Sequence, residues 1–452
     1  MTRAAPLSFG TAQVLRLGLV QACLGAVVVN TTSTLNRVMV VELALPALLP
    51  GLLVALHYLV QLARPRLGHG SDGAGRRTPW IAGGMAVLAG GGALAALATT
   101  WMAHDRTAGI ALAVLAFVLI GLGVGAAGTA LLVLLAQRVP AAQRAGAATT
   151  VWLMMILGFV LTAGLSGRLL DPYSPARLLA VSGGISLLAL LVAAAALWRL
   201  EPPTAPARRA GTAAATAPRP AFRTALAAVW ADGDARRFTV FVFISMLAYS
   251  AQDLILEPFA GMVHGYTPGQ STQLAGVQHG GVLLGMLAAA LAGRRLAGRA
   301  TGSLRAWTVG GCLASALAMA GLVMAGLVGM AWPLRLNVAL LGVANGAFSI
   351  AAIGAMMALA GQGGGGREGV RMGLWGAAQA LAFGLGGLTG ALASDLSRRW
   401  LALPGEAYAA VFALEGLLFV VAAGLALRVA MPGSPAAAAP HSTGLSTQQV
   451  PA

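Results

Sequence analysis

Apolar runs of about twenty residues recur along this chain, six before residue 199 and six after residue 236. A helix of that length crosses the ~30 Å hydrocarbon layer at about 1.5 Å per residue. Lipid offers the backbone no hydrogen-bond partners, so such runs must satisfy their own amides and fold as helices. Charged residues make up only 9% of the 452 residues, against roughly 25% in a soluble domain. The pattern predicts an all-α polytopic membrane protein with twelve transmembrane helices in two six-helix halves. Residues 1–198 are expected to form the N-terminal half and 237–431 the C-terminal half. Between them, 199–236 is rich in Pro, Ala, Thr and Arg and reads as a cytoplasmic linker. Residues 432–452 have nothing to bury and read as a disordered tail.

A net charge of +16 raises the question of a nucleic-acid partner. All 29 basic residues are Arg, and most fall in the connections that this topology places in the cytoplasm. That asymmetry follows the positive-inside rule rather than forming a basic groove, so no nucleic-acid partner is expected and both termini are assigned to the cytoplasm. Cys23 and Cys312 lie inside apolar runs, which implies neither a disulfide framework nor a cysteine metal site. Gly121-x-Gly123-x-Gly125-x-x-Gly128 imitates a dinucleotide fingerprint but follows an apolar helix, not a strand, and reads as small-residue helix packing.

Between the second and third runs stands a short polar loop with the skeleton Gly68-x-x-x-Asp72-x-x-Gly75-Arg76-Arg77. It resembles the signature of the major facilitator superfamily. Its glycines allow a tight turn between adjacent helices, its arginines suit the anionic cytoplasmic surface, and Asp72 can cap a helix start or pair with an arginine. The loop 293–299, GRRLAGR, is a degraded echo, as a repeat of the first half would give. The resemblance implies a major facilitator fold.

Three further stretches, Thr34–Pro46, Ser245–Phe259 and Gln273–Met286, resemble the PucC/LhaA, or bacteriochlorophyll delivery, family of purple phototrophic bacteria. The resemblance implies a protein of the bacterial inner (intracytoplasmic) membrane that serves light-harvesting complex assembly. Its cargo would be bacteriochlorophyll, and its partners light-harvesting polypeptides or pigment-synthesis enzymes. A proton-coupled secondary transporter of a small molecule is the alternative. An enzyme is not expected, since the sequence offers no nucleophile–base pair, metal-ligand cluster or nucleotide loop in context.

Intramembrane polar residues are costly in lipid and point to function. His57 and His279, in the second and eighth helices, offer neutral imidazoles suited to the axial position of the pigment magnesium; a histidine merely hydrogen-bonded inside the bundle is the plain reading of each. Asp253 and Glu257 stand four residues apart on the seventh helix, where like charges repel unless a cation or proton relieves them. Aligning the first and seventh helices sets Arg37 opposite Asp253, which predicts a bridge between the halves, either a gate or a static ion pair. Glu415 is a lone acid on the twelfth helix, either protonated or meeting an arginine of another helix.

Overall fold

The computed structural model describes residues 9–63, 76–140, 143–201, 227, 230–295, 304–361 and 368–429. Among them every regular element is helical. The first half comprises α1 (Thr11–Glu42), α2 (Leu48–Val60), α3 (Thr78–Trp101), α4 (Arg106–Arg138), α5 (Arg144–Leu169) and α6 (Pro175–Leu197). The second comprises α7 (Gly233–His264), α8 (Pro268–Arg295), α9 (Leu304–Val328), α10 (Leu334–Gly361), α11 (Glu368–Trp400) and α12 (Pro404–Leu427). Eleven of these are long and apolar enough to cross a membrane; α2 is shorter at 13 residues, and a 3-10 turn, Gln61–Ala63, continues it.

The helix starts follow local chemistry. Asp105 opens α4 by accepting from the Ala108 N–H at 3.0 Å, and Ser174 opens α6 in the same way from Arg177 at 3.1 Å. Asp232 caps α7, whose other end is released at Gly265, where φ of +66° suits a residue without a Cβ. Near its far end α1 departs from α geometry twice, in π-helical turns at Asn30–Thr34 and Val38–Glu42.

Two large hydrophobic clusters form among the described residues, one from α1 to α6, joined by Leu254 of α7, and one from α7 to α12. The packing of the first half runs past α6 through Leu200 and Glu201, both buried. In lipid, apolar burial does not drive helices together, and close packing of small residues takes its place. Gly121 and Gly123 bring α4 against α2 and α3, and a Cβ at Gly285 of α8 would run into the Val343 carbonyl of α10. The halves meet along two seams. At one, Gly51 and Tyr58 of α2 pack on Ala391 and Gly384 of α11; at the other, Gly276 of α8 approaches Gly164 of α5. Met155 and Ile156 of α5 continue the second seam against Val282 and Met286 of α8. The faces turned from these seams carry exposed leucines, such as Leu161, Leu165 and Leu284, suited to lipid. The start of α1 and the end of α12 share one face, called here the terminal face; the α1–α2 turn lies on the far face.

Candidate functional site in the bundle interior

Three ties join the halves at the far face. Arg37 of α1 donates through Nη2 to the Tyr266 carbonyl at 2.7 Å, just beyond the end of α7. Thr267 donates to Asp171 of the α5–α6 turn at 2.7 Å. Asp395 of α11 accepts from the Ala47 and Leu48 backbone N–H groups at 3.0 and 2.7 Å, at the start of α2. Asp395 lies near the end of α11, which runs to Trp400, and no motif in its own segment marks it.

The bridge expected between Arg37 and Asp253 is not formed. Arg37 pairs instead with Glu42 at 2.7 Å, while Asp253 accepts from Gln278 Nε2 of α8 at 3.2 Å. The π turn Val38–Glu42 brings residue i+5 back over residue i, so a partner on the same helix captures the guanidinium. Arg37 still reaches α7, lying against Gly261, but meets a backbone carbonyl there rather than an acid. Its neighbour Asn36 crosses to the Leu254 carbonyl at 2.6 Å. Tyr173, in the α5–α6 turn, has its hydroxyl held above its ordinary pKa by burial first and by Glu42 next.

Deeper in the bundle, Asp253 faces Gln278 and lies within electrostatic reach of Glu415. Glu415 is 2% exposed, and neither carboxylate oxygen has a hydrogen-bond partner among the described residues. Both amide atoms of the buried Gln252 likewise lack a partner among the described residues. Beside Asp253 stands Tyr249, whose ring packs on Phe383 and Phe348 with centroids 5.9 and 6.4 Å apart; Phe383 in turn packs on Tyr58 at 5.6 Å. The interior therefore combines buried acids with an aromatic wall contributed by both halves. Glu257 sits farther along α7, 1% exposed, with Oε2 taking a long 3.5 Å contact from Thr272 of α8.

The two histidines differ. His57 Nε2 is engaged by Gln61 one turn on, at 2.8 Å. His279 is 7% exposed, its ring lies 4.9 Å from that of Phe159 of α5, and its buried Nδ1 has no hydrogen-bond partner among the described residues.

Of the signature loop, Gly68, Asp72 and Gly75 lie outside the described residues. Arg76 and Arg77 lie within them, and both meet Glu201. The Glu201 carboxylate accepts from the Arg77 and Thr78 N–H groups at 2.8 and 2.7 Å and from the Thr78 hydroxyl at 2.7 Å, and its carbonyl accepts from Arg76 at 3.1 Å. This caps the start of α3. The chain turns there because Arg199 adopts φ of +53° just past α6. Arg16 of α1 holds the end of α6, donating to the Ala196 and Trp198 carbonyls. Glu201 went unnoticed in sequence because it falls in the stretch read as linker. Its one signal is being an acid directly after a helix and next to a proline pair.

Comparisons with known proteins agree with this geometry. The family model described as PUCC protein matches residues 34–433. The "Bacteriochlorophyll synthase 44.5 kDa chain" of Rhodobacter capsulatus is 52% identical over 424 residues, covering 94% of this chain and 96% of that one. "Protein PucC" of the same species is 30% identical, covering 92% and 91%. Among solved structures, the D-xylose-proton symporter superposes with a TM-score of 0.70 at 16% identity, covering 92% of this chain and 97% of its own. A bacterial homolog of the human lysosomal transporter Spinster, inward-facing and unoccupied, gives 0.67, also at 16% identity, with 92% and 96% covered. The two solved structures show the fold, which is the major facilitator fold.

Proposed function

The chain belongs to the PucC family, and on that premise we propose that it serves photosynthetic light-harvesting complex assembly by binding bacteriochlorophyll and delivering it to antenna or reaction-centre polypeptides. The observation that carries the reading is His279: an imidazole in the bundle interior, set against the Phe159 ring, with a buried nitrogen that no described residue engages. A neutral imidazole is a fitting axial donor for the pigment magnesium. His57 fits the role less well, because Gln61 holds its Nε2. The aromatic wall of Tyr58, Tyr249, Phe348 and Phe383 supplies flat apolar surface for a macrocycle.

The role proposed is not enzymatic. A relative named as a chain of a bacteriochlorophyll synthase supports a place beside pigment synthesis, where a carrier would take pigment from an enzyme and pass it to a folding polypeptide. The partners on this reading are bacteriochlorophyll, light-harvesting polypeptides or pigment-synthesis enzymes, and the lipid of a bacterial inner (intracytoplasmic) membrane. Purification from a phototrophic host tests it: the protein should carry bacteriochlorophyll absorption in a fixed ratio to protein, and its absence under mild detergent would count against the reading.

A proton-coupled transporter is the second reading, favoured by the unpartnered Glu415 beside Asp253. Buried carboxyls able to exchange a proton are what such coupling needs. Uptake of a small substrate into vesicles, driven by an imposed pH gradient and abolished in Glu415→Gln, would support it over pigment delivery.

A further inference from the structure

Where α1, α7 and α8 meet near the far face, five oxygen-bearing side chains cluster about Glu257. Glu257 contributes a carboxylate and Ser33, Thr34, Ser271 and Thr272 contribute hydroxyls. The Thr34 and Thr272 hydroxyls are 3.2 Å apart, Thr272 lies 3.5 Å from Glu257 Oε2, and Ser33 and Ser271 stand close enough to act on the same carboxylate. Glu257, Thr34, Ser271 and Thr272 are each at most 1% exposed.

Ser33, Ser271 and Thr272 act on this buried carboxylate, yet one of its oxygens has no hydrogen-bond partner among the described residues. Ser271 can also donate its hydroxyl to the Pro268 carbonyl, 3.1 Å away, which leaves its oxygen free to act as an acceptor or ligand. Thr272 reaches Glu257 only at the outer limit of a hydrogen bond, and Glu257 Oε1 receives none from the described residues. The nearby cation does not make up the deficit. Arg37 is held by Glu42 and by the Tyr266 carbonyl, and the Arg37–Glu42 pair is neutral as a unit. Arg37 acts on Glu257 without pairing with it, so no cation among the described residues contacts this carboxyl inside the membrane, where an ionised group without a partner is costly.

We propose that Glu257, Ser33, Thr34, Ser271 and Thr272 form a binding site for a monovalent alkali cation. Hard cations take carboxylate, hydroxyl and carbonyl oxygens as ligands, and a single carboxylate balances a single positive charge. A proton on Glu257 would satisfy the charge but needs only one acceptor, whereas this cluster presents four hydroxyl oxygens. The site draws on α1 of one half and on α7 and α8 of the other, so occupancy would fasten the halves at the far face. It is independent of pigment binding and stands or falls separately from that reading.

The test is thermal unfolding of the purified full-length protein in detergent at neutral pH, with NaCl, KCl or choline chloride varied at constant ionic strength. Saturable stabilisation by Na+ or K+, absent with choline, is expected in the wild type. Glu257→Gln should abolish the response. Thr272→Val and Ser33→Ala, which keep the packing and remove one oxygen each, should raise the half-saturating concentration by about tenfold or more. Should Glu257→Gln fail to fold, these two variants carry the test. Equal behaviour in all three salts, an unchanged response in the variants, or stabilisation by acid pH alone would each overturn the proposal.

Discussion

Arg37 and Glu42 lie five residues apart on α1 and meet at 2.7 Å because the turn between them is π-helical. An α turn would bring Arg37 over residue 41, a valine, and leave the guanidinium free to seek an acid on α7. The pair's consequences follow from its burial: the Arg37 side chain is 3% exposed and that of Glu42 32%. Removing either partner should cost about 1–2 kcal/mol, below the 3–5 kcal/mol of a fully buried pair because water reaches Glu42. In double-mutant cycles read by thermal or denaturant unfolding, Arg37→Gln and Glu42→Gln should couple by about 1 kcal/mol, while Arg37→Gln and Asp253→Asn should add to within about 0.5 kcal/mol. Equal coupling in both cycles would restore the bridge between Arg37 and Asp253.

Glu201 makes a second prediction about a residue that lies in no recognised motif. Its carboxylate takes three hydrogen bonds at the start of α3, so Glu201→Ala should destabilise the first half by about 1–2 kcal/mol, as loss of a helix cap does. Glu201→Gln should fall between the two. Limited trypsin digestion offers a local readout, since Arg76 and Arg77 are potential cleavage sites whose backbone Glu201 holds. Cleavage there should be faster in Glu201→Ala, and unchanged cleavage would show that the cap does not anchor the loop.

The sequence made much of this architecture readable because lipid restricts the chain so severely. Runs of twenty apolar residues have few alternatives to helices, and the positions of Gly121 and Gly123 announce close packing before any neighbour is known. Reading the site was harder. Asp253, Glu257 and Glu415 stand out as acids in apolar surroundings, yet what each faces depends on helix rotation and on local departures from α geometry. Two π turns in α1 are enough to move Arg37 from one partner to another. Asp395 and Glu201 act on the starts of helices distant in sequence, and nothing in their own segments names those targets.

Two glycines of α8, five residues apart, should respond with opposite sign to the same change. A Cβ at Gly285 would overlap the Val343 carbonyl of α10, whereas a Cβ at Gly280 would meet nothing within 4 Å. Gly285→Ala should therefore force α8 and α10 apart, at about 1–3 kcal/mol. Gly280→Ala should be neutral or stabilising by up to about 1 kcal/mol, because alanine favours the helix. A comparison of unfolding midpoints checks both, and a large loss for Gly280→Ala would contradict the packing described.

On the proposed topology both termini face the cytoplasm. A reporter active only in the cytoplasm, fused after Pro432, should be active, and the same reporter inserted after Ala103, between α3 and α4, should be silent. The opposite result would invert the sidedness and with it the placing of the far-face ties in the periplasm.

The last prediction separates the two histidines. His279 stands in the interior with its Nδ1 unengaged and its ring on Phe159, whereas His57 shares a hydrogen bond with Gln61. His279→Leu should leave a folded protein that has lost bound bacteriochlorophyll, because leucine fills the space and offers no ligand. Phe159→Ala should keep part of the pigment, since it removes a neighbouring ring but not the donor. His57→Leu should behave in the reverse way, keeping the pigment-to-protein ratio while lowering stability by about 1–3 kcal/mol, the cost of leaving the Gln61 amide short of a partner in a buried site. The absorption ratio and the unfolding midpoint, measured together on all three variants, distinguish loss of a ligand from loss of a fold. Full pigment retention in His279→Leu would remove that residue from the proposed site, and pigment loss confined to His57→Leu would move the ligand to α2.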